Sequence, residues 1–437
     1  MRTLVLDGSA ADDTRAAAVR AAILAVRPAA QVLRLRDLTI GNCAGDFFCW
    51  IRSPGQCNVD DDNRVVAAEM MAADLMILLT PVAFGGYSAH LKRAVDHILP
   101  NVTPFFRSIG GETHHRPRYR RYPDVAVVGW MPDPDERAEE VFRHLVARNG
   151  INFYADRARC DVLVGDLPGE ELHGRVRALV EDRPGSVAVP PLAPDVPDEG
   201  QSAAPGRVVL LTGSPRTATS SSHFLGQYLL DRLAEHGTEV EEIQVYTSMG
   251  ARRRPAVLDR IAAADLLVLA FPLYVDALPG PLVAALEHVR AHEAGSGPHP
   301  DRRLVALVNC GFPEPAHNTT AVAIAAQFAR SVGVRWGGGL SLGGGEGTVG
   351  RRPLNEIGRI AAPLREALDL AATALADGRP IPAAANALLG RPLIPSRVYT
   401  TVANLAWVGK GYGNGVARRL LARPLERAGG WGYDEIT

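Results

Sequence analysis

Val208-Val209-Leu210-Leu211-Thr212 runs directly into Gly213-Ser214-Pro215-Arg216-Thr217-Ala218-Thr219-Ser220-Ser221-Ser222, and a helical pattern begins near His223. An unbroken apolar run closed by a β-branched residue predicts a strand covered on both faces, as in a parallel sheet. A strand that empties into a glycine- and hydroxyl-rich loop ahead of a helix gathers backbone N–H groups and the positive helix terminus around one point. Such a point suits a phosphate. Hydroxyls of Ser214, Thr219, Ser220 and Ser221 can donate to phosphate oxygens, and Arg216 adds a charge with fork geometry. The same stretch also reads as a serine-rich turn that caps a helix.

Working outward, the chain repeats itself. Asp74-Leu75-Met76-Ile77-Leu78-Leu79-Thr80-Pro81-Val82-Ala83 falls on Asp265-Leu266-Leu267-Val268-Leu269-Ala270-Phe271-Pro272-Leu273-Tyr274 at a constant offset of 191. The register continues through Leu91 on Leu282, Asp96 on Glu287 and His97 on His288, which points to a duplicated strand, loop and helix. Strands are expected near Thr3–Leu6, Gln31–Leu35, Leu75–Leu79, Asp124–Gly129 and Cys160–Val164, and again near Val208–Thr212, Val240–Gln244, Leu266–Ala270, Leu304–Val308 and Gly338–Leu342. Alternation of such strands with amphipathic helices predicts two tandem doubly wound α/β domains, each a five-stranded parallel sheet of order 2-1-3-4-5. The expected division is a first domain over 1–182, a Pro- and Ala-rich linker over 183–206 with Pro184-Gly185 inside it, a second domain over 207–379, and a helical C-terminal extension over 380–437. Within that extension, Val398–Trp407 and Gly415–Leu421 read as helical, with no strand signal.

The sheet order opens a crevice at the carboxyl ends of the first and third strands of each domain. In the second domain three loops reach it: the one from Gly213, then Phe271-Pro272-Leu273-Tyr274-Val275-Asp276, then Asn309-Cys310-Gly311-Phe312-Pro313-Glu314. Tyr274 offers an aromatic face to a planar heterocycle.

Bulk properties exclude several classes. Across 437 residues, 47 Lys and Arg nearly balance 48 Asp and Glu, which favours neither nucleic acid nor an anionic membrane as partner. No apolar run is long enough to span a bilayer. Thr3-Leu4-Val5-Leu6 already reads as a strand, leaving no room for a leader, and five cysteines are too few for a disulfide framework. A cytoplasmic protein is expected.

The Gly-Ser-Pro-Arg loop at 213–216 with its following hydroxyls, together with Pro272-Leu273-Tyr274, resembles the NAD(P)H-dependent FMN reductase branch of the flavodoxin-like superfamily. The resemblance implies FMN as cofactor, with its phosphate at Ser214, Arg216, Thr219, Ser220 and Ser221. The isoalloxazine would lie near Pro272, Leu273, Tyr274, Val275, Asn309, Cys310, Gly311 and Phe312. It further implies hydride transfer from NAD(P)H through flavin N5 to a small organic acceptor such as a quinone, nitro or azo compound or a biosynthetic intermediate. The protein then orients and biases its cofactor and supplies no nucleophile. The alternative is a flavodoxin-type electron carrier without substrate turnover. Tyr274 and Asn309 are candidates for contact with the reacting groups. Because relatives resemble dimers, an intrachain pseudo-dimer is expected, with His114, His115 or Tyr119 as further substrate contacts and with a homo-oligomer also open.

The first domain resembles single-domain members of the family, including iron-sulfur flavoproteins, through Cys43-Ala44-Gly45-Asp46-Phe47-Phe48-Cys49-Trp50, Pro54-Gly55-Gln56-Cys57, Asp60-Asp61 and Thr80-Pro81-Val82-Ala83-Phe84-Gly85-Gly86-Tyr87. Its first loop carries Asp12 and Asp13 where the second carries Arg216, and Ala83 replaces the tyrosine. Both changes predict a degenerate flavin site. Cys43, Asp46, Cys49 and Cys57 are spaced like a cluster-ligating run with one thiolate lost. Clusters normally take four, so reduced cysteines packed beside Phe47, Phe48 and Trp50 are expected, with no metal.

Overall fold

A computed structural model describes residues 1–181, 187–427 and 430–431. By contacts the described residues fall into two units, one formed by Met1–Ile109, His114–Pro191 and the segment from Val402 onward, the other by Gly110–Thr113 and Leu192–Thr401.

In the first unit β1 (Thr3–Asp7), β2 (Gln31–Arg34), β3 (Leu75–Ala83), β7 (Asp124–Met131) and β8 (Ala158–Val164) form a parallel sheet of order β2-β1-β3-β7-β8. A short β4 (Gly86–Tyr87) folds back antiparallel on β3. The second unit repeats the order with β9 (Arg207–Thr212), β10 (Glu239–Gln244), β11 (Leu266–Pro272), β12 (His299–Asn309) and β13 (Val334–Leu342), all parallel, as β10-β9-β11-β12-β13. Strand order reverses between β1 and β3 and again between β9 and β11, so both sheets have the switch point at which a crevice is expected.

Helices bury one stripe against these sheets. Leu225, Leu229 and Leu233 recur every four residues along the helix Ser221–Glu235 and meet Leu210, Val268 and Leu307 of the strands. Leu364, Leu368, Ala371 and Leu375 of the helix Ala362–Ala376 close the same core. Each fully buried leucine contributes about 1.5–3 kcal/mol.

The repeat is sharpest in its turns. Phe84 and Gly85 have φ of 56° and 78°, and Val275 and Asp276, at the same 191-residue offset, have φ of 46° and 59°. Two consecutive left-handed residues make the tight turn whose twist suits a strand reversing on itself. In the second unit it is closed by Tyr274 N–H to Ala277 O at 2.9 Å and Ala277 N–H to Tyr274 O at 3.1 Å. A β-branched residue in that region costs about 1–3 kcal/mol. The glycine opening each phosphate-type loop is also matched. A Cβ on Gly8 would stand 2.5 Å from Leu91 Cβ, and one on Gly213 would stand 2.7 Å from Leu282 Cδ2. Leu91 and Leu282 are again offset partners.

Two stretches lie outside the expected strands. Residues rich in aromatic and basic side chains between Val102 and Pro117 form a hairpin of β5 (Val102–Ile109) and β6 (Glu112–Pro117). Gly110 and Gly111, at φ of 59° and 91°, make its turn, a signal that was present in the sequence. The C-terminal segment holds the helix Ser396–Gly413 and, contrary to the reading of no strand, a two-residue ribbon of β14 (Glu426–Arg427) and β15 (Gly430–Trp431). Residues 380–401 cluster with the second unit and those from Val402 with the first. Of the linker stretch, Pro184-Gly185 lies outside the described residues. Further on, Asp198 exchanges backbone and carboxylate bonds with Trp336 at 2.8 and 2.9 Å, and Arg303 bonds Gly200 O at 2.6 Å. These contacts lay that stretch along β13.

Candidate functional site in the second unit

Three loops leave the carboxyl ends of β9, β11 and β12, and each is held by side chains the chain folds for that purpose. The first begins at Gly213, where the close approach of Leu282 and Phe271 admits no side chain. Ser220 caps the helix Ser221–Glu235 by accepting from His223 N–H at 3.1 Å, and its hydroxyl donates to Thr217 O at 2.7 Å. Thr219 donates to Arg216 O at 2.9 Å, Ser221 to Gly350 O at 3.0 Å, and Ser214 Oγ accepts from Arg216 N–H at 3.4 Å. Of the hydroxyls expected to face a phosphate, those of Ser220 and Thr219 thus close the loop on itself and that of Ser221 ties it to the segment after β13. By position, the amides of Ser221 and Ser222 open the helix with no carbonyl one turn behind them. Those amides and the helix terminus are the groups there that are able to receive an anion.

Arg216 is not solvated. Its Nη1 lies 3.0 and 2.9 Å from the two carboxylate oxygens of Glu346, in the glycine-rich loop after β13. An anion at this loop would compete with Glu346 for the guanidinium. Nearby, Thr212 Oγ1, His223 Nδ1 and Gln244 Nε2 converge on Glu242 Oε1 at 2.6, 2.8 and 2.6 Å. That four-residue cluster locks the ends of β9 and β10 together. Sequence reasoning missed both Glu346, whose partner lies 130 residues away, and Glu242, two of whose three partners lie 30 and 19 residues away.

Pro272, Leu273, Tyr274 and Val275 of the second loop are half-buried, and Leu273 N–H is fixed to Asn309 O at 2.7 Å. Asn309 itself is buried. Its Nδ2 donates to Ser222 Oγ at 2.8 Å and Phe271 O at 3.2 Å, so it ties the three loops together.

In the third loop Cys310 is buried with its Sγ on Phe312 O at 3.3 Å. Burial pushes its thiol up to about 12, so it stays protonated and packs. Gly311 is exposed, and a Cβ there would meet nothing within 4 Å. Its carbonyl accepts from Tyr399 Oη at 2.9 Å, a partner from the helix Ser396–Gly413 that the sequence did not disclose. The Phe312 ring lies 4.5 Å from the His317 ring. Burial alone would raise the Glu314 carboxyl, but hydrogen bonds from His317, Ser396 and Thr113 outweigh it and hold it down at about 2.

The first unit presents the corresponding loop differently. The Arg36 guanidinium reaches Ser9 O, Ser9 Oγ and Ala10 O at 3.3, 3.1 and 3.2 Å, so this loop turns oxygens toward a cation. Asp13 caps the helix Thr14–Val26 through Ala16 N–H and accepts from Trp130 Nε1 at 3.0 Å. Ala83 stands where Tyr274 stands in the repeat.

The remaining candidates lie deeper in that unit. His114 is buried with Nδ1 2.9 Å from Asn152 Oδ1. His115 packs against Trp50 and Phe106 with ring centroids 4.7 and 4.8 Å away, and Tyr119 is buried. Burial pushes the Cys43 thiol up to about 12 and Cys49 well above its ordinary value. Asp46 accepts from Phe48 N–H at 3.0 Å. Cys57 Sγ lies 3.7 Å from His97 Nδ1, a partner the cysteine spacing alone did not indicate. Among the described residues no three His, Cys, Asp or Glu side chains are arranged to hold a metal ion.

The pattern of the family described as NADPH-dependent FMN reductase matches twice, over residues 1–116 and 207–325. An iron-sulfur flavoprotein of Methanocaldococcus jannaschii is 36% identical over 70 residues, 16% of this chain and 35% of that protein. The chain therefore aligns with about a third of that relative's length. Among solved structures, similarity is found to an NAD(P)H:quinone oxidoreductase from Methanothermobacter marburgensis, with 20% identity, 40% of this chain and 96% of that one covered, and a TM-score of 0.28. An FMN-dependent NADH-azoreductase from Bacillus anthracis gives 13%, 39%, 99% and 0.30 for the same quantities.

Proposed function

The chain belongs to the NADPH-dependent FMN reductase family, and from that premise we propose that it is an NAD(P)H-dependent FMN oxidoreductase that holds its flavin in the second unit and reduces a small organic acceptor. The observation that carries this reading is the asymmetry between the two crevices. Both loops lead into a helix terminus, but one has an arginine and a tyrosine at its rim. The other has Arg36 seated in its loop, with aspartate and alanine at the equivalent places.

The cradle fits the group. Gly213 lets the loop backbone run against Leu282, and the amides of Ser221 and Ser222 with the Arg216 guanidinium form a donor set for a dianion. Tyr274, with Pro272, Leu273 and Val275, supplies the apolar wall for a flat ring. The loop after β12 adds the exposed backbone at Gly311 and the neighbouring Phe312. When bound, the flavin supplies the two-electron chemistry between nicotinamide and acceptor. Asn309 acts as a positioning residue, since its amide group is engaged with Ser222 and Phe271. Cys310, kept protonated by burial, packs beneath the loop and moves no proton. The half-buried walls restrict water around the ring, while His114 and His115 are held by contacts within the first unit.

Visible absorption of the purified chain, loaded with FMN, tests the cofactor. Anaerobic bleaching by NADH or NADPH, and steady-state oxidation of either nicotinamide with quinone, azo and nitro acceptors, test the reaction. Flavin reduction without turnover on any acceptor favours a carrier protein. Failure to retain FMN at all removes the proposal.

A further inference from the structure

The helix Ser396–Gly413 is apolar on both sides. Its inner side buries Tyr399, Trp407 and Gly411. On its outer side Val398, Val402, Leu405, Gly409 and Tyr412 follow in alternating steps of four and three, which places them within an arc of about 80° at 3.6 residues per turn. The four side chains of this stripe are 53%, 60%, 67% and 74% exposed, and Leu421 beyond the helix is 61% exposed. A helix with an apolar outer face is either covered or built to meet an apolar phase.

Charge identifies the phase. Residues 391–437 contain seven Lys or Arg and three Asp or Glu, net +4, whereas the whole chain is −1, so the first 390 residues carry −5. The near-balance of the whole chain conceals this segregation. The helix carries no acidic residue. Of its bases, Arg397 is exposed and flanks the stripe about 100° to one side, where a long side chain snorkels toward lipid headgroups, while the Lys410 Nζ lies 4.4 Å from the Trp407 ring centroid. Arg418 and Arg419 follow, also exposed. No described helix is long and apolar enough to cross a membrane.

We propose that the outer stripe of the helix Ser396–Gly413, with its flanking bases, docks this protein on an anionic lipid surface, the helix lying in the plane of the interface. A second copy of the chain is the less suited occupant, because it would bring two net-positive segments together.

The test is co-sedimentation of the full chain with vesicles of phosphatidylcholine, with and without phosphatidylglycerol. Binding is expected on the anionic vesicles, and it should fall with salt as the screening length shrinks from about 10 Å at 0.1 M to about 3 Å at 1 M. Arg418→Glu and Arg419→Glu should each weaken partition at least about fivefold, the equivalent of about 1 kcal/mol per base near an anionic surface. Leu405→Glu should weaken it at least about tenfold, with an unchanged thermal midpoint because the side chain is already outside. If that variant lowers the midpoint, Tyr412→Ser at the most exposed position of the stripe replaces it. Equal binding to both vesicle types, or none, overturns the proposal. So does a concentration-dependent dimer in sedimentation velocity that Leu405→Glu dissolves, which would assign the stripe to a second copy.

Discussion

Replacing Arg216 by alanine separates two quantities that the loop geometry couples. In the chain alone, the Arg216 guanidinium is paired with Glu346, the two side chains being 14% and 41% exposed. Screening at the Glu346 end holds such a pair to about 1 kcal/mol, so Arg216→Ala should lower stability by about that amount. Toward FMN the loss is larger. A charge-assisted hydrogen bond to phosphate contributes about 1.5–3 kcal/mol, and at tenfold per 1.4 kcal/mol this is about a 10- to 150-fold weaker Kd. Glu346→Gln removes the competing carboxylate and should tighten FMN by up to about fivefold, the upper range for an exposed pair. Asp13→Ala, at the first unit's helix cap, should cost about 1 kcal/mol of stability and leave the FMN Kd where it was. Quenching of flavin fluorescence on titration gives each Kd, and thermal unfolding gives each midpoint. An FMN affinity for Arg216→Ala within twofold of the parent, or an equal loss in Asp13→Ala, would refute the reasoning.

Gly213→Ala should destabilise the chain by about 1–3 kcal/mol through overpacking against Leu282 and Phe271, whereas Gly311→Ala, which projects into open space, should leave the midpoint within about 0.5 kcal/mol; paired denaturant titrations check both. Glu314, held at about 2 in the folded chain, contributes stability that is fully present above its ordinary unfolded value of about 4.3 and is lost as pH falls toward 2. Glu314→Gln should therefore show a smaller drop in thermal midpoint between pH 7 and pH 3 than the parent, and an equal drop would show that the carboxylate is not stabilised by its partners.

Both sheets were legible because strands covered on two faces must be apolar throughout, so Leu75–Leu79 and Val208–Thr212 stand out whatever surrounds them. What failed was half-polar structure. The hairpin over Val102–Pro117 carries His, Arg and Thr between its aromatic residues, which obscures a period of two, and only Gly110-Gly111 marks it. β12 begins at His299, five residues ahead of the apolar run at Leu304, since its first half carries charges and a proline. At the candidate site, the loop that should hold phosphate was readable from Gly213 and its hydroxyls. The hydroxyl roles were not, because the carbonyls that accept from Ser220, Ser221 and Thr219 are placed only by folding. Arg216 with Glu346, Gly311 with Tyr399 and Cys57 with His97 are pairings across 130, 88 and 40 residues. No local pattern encodes them.

The turn from Tyr274 to Ala277 is closed at both ends by its own backbone, so folding rather than ligand binding sets the main chain from which the aromatic ring projects. A planar cofactor meeting it need not order that segment, and the entropy of doing so is absent from the binding equilibrium. Relaxing Val275 to glycine would soften this edge and transfer part of that ordering cost to each association event. The unfavourable left-handed valine is thus tied to how rigidly this turn is held before any ligand meets it.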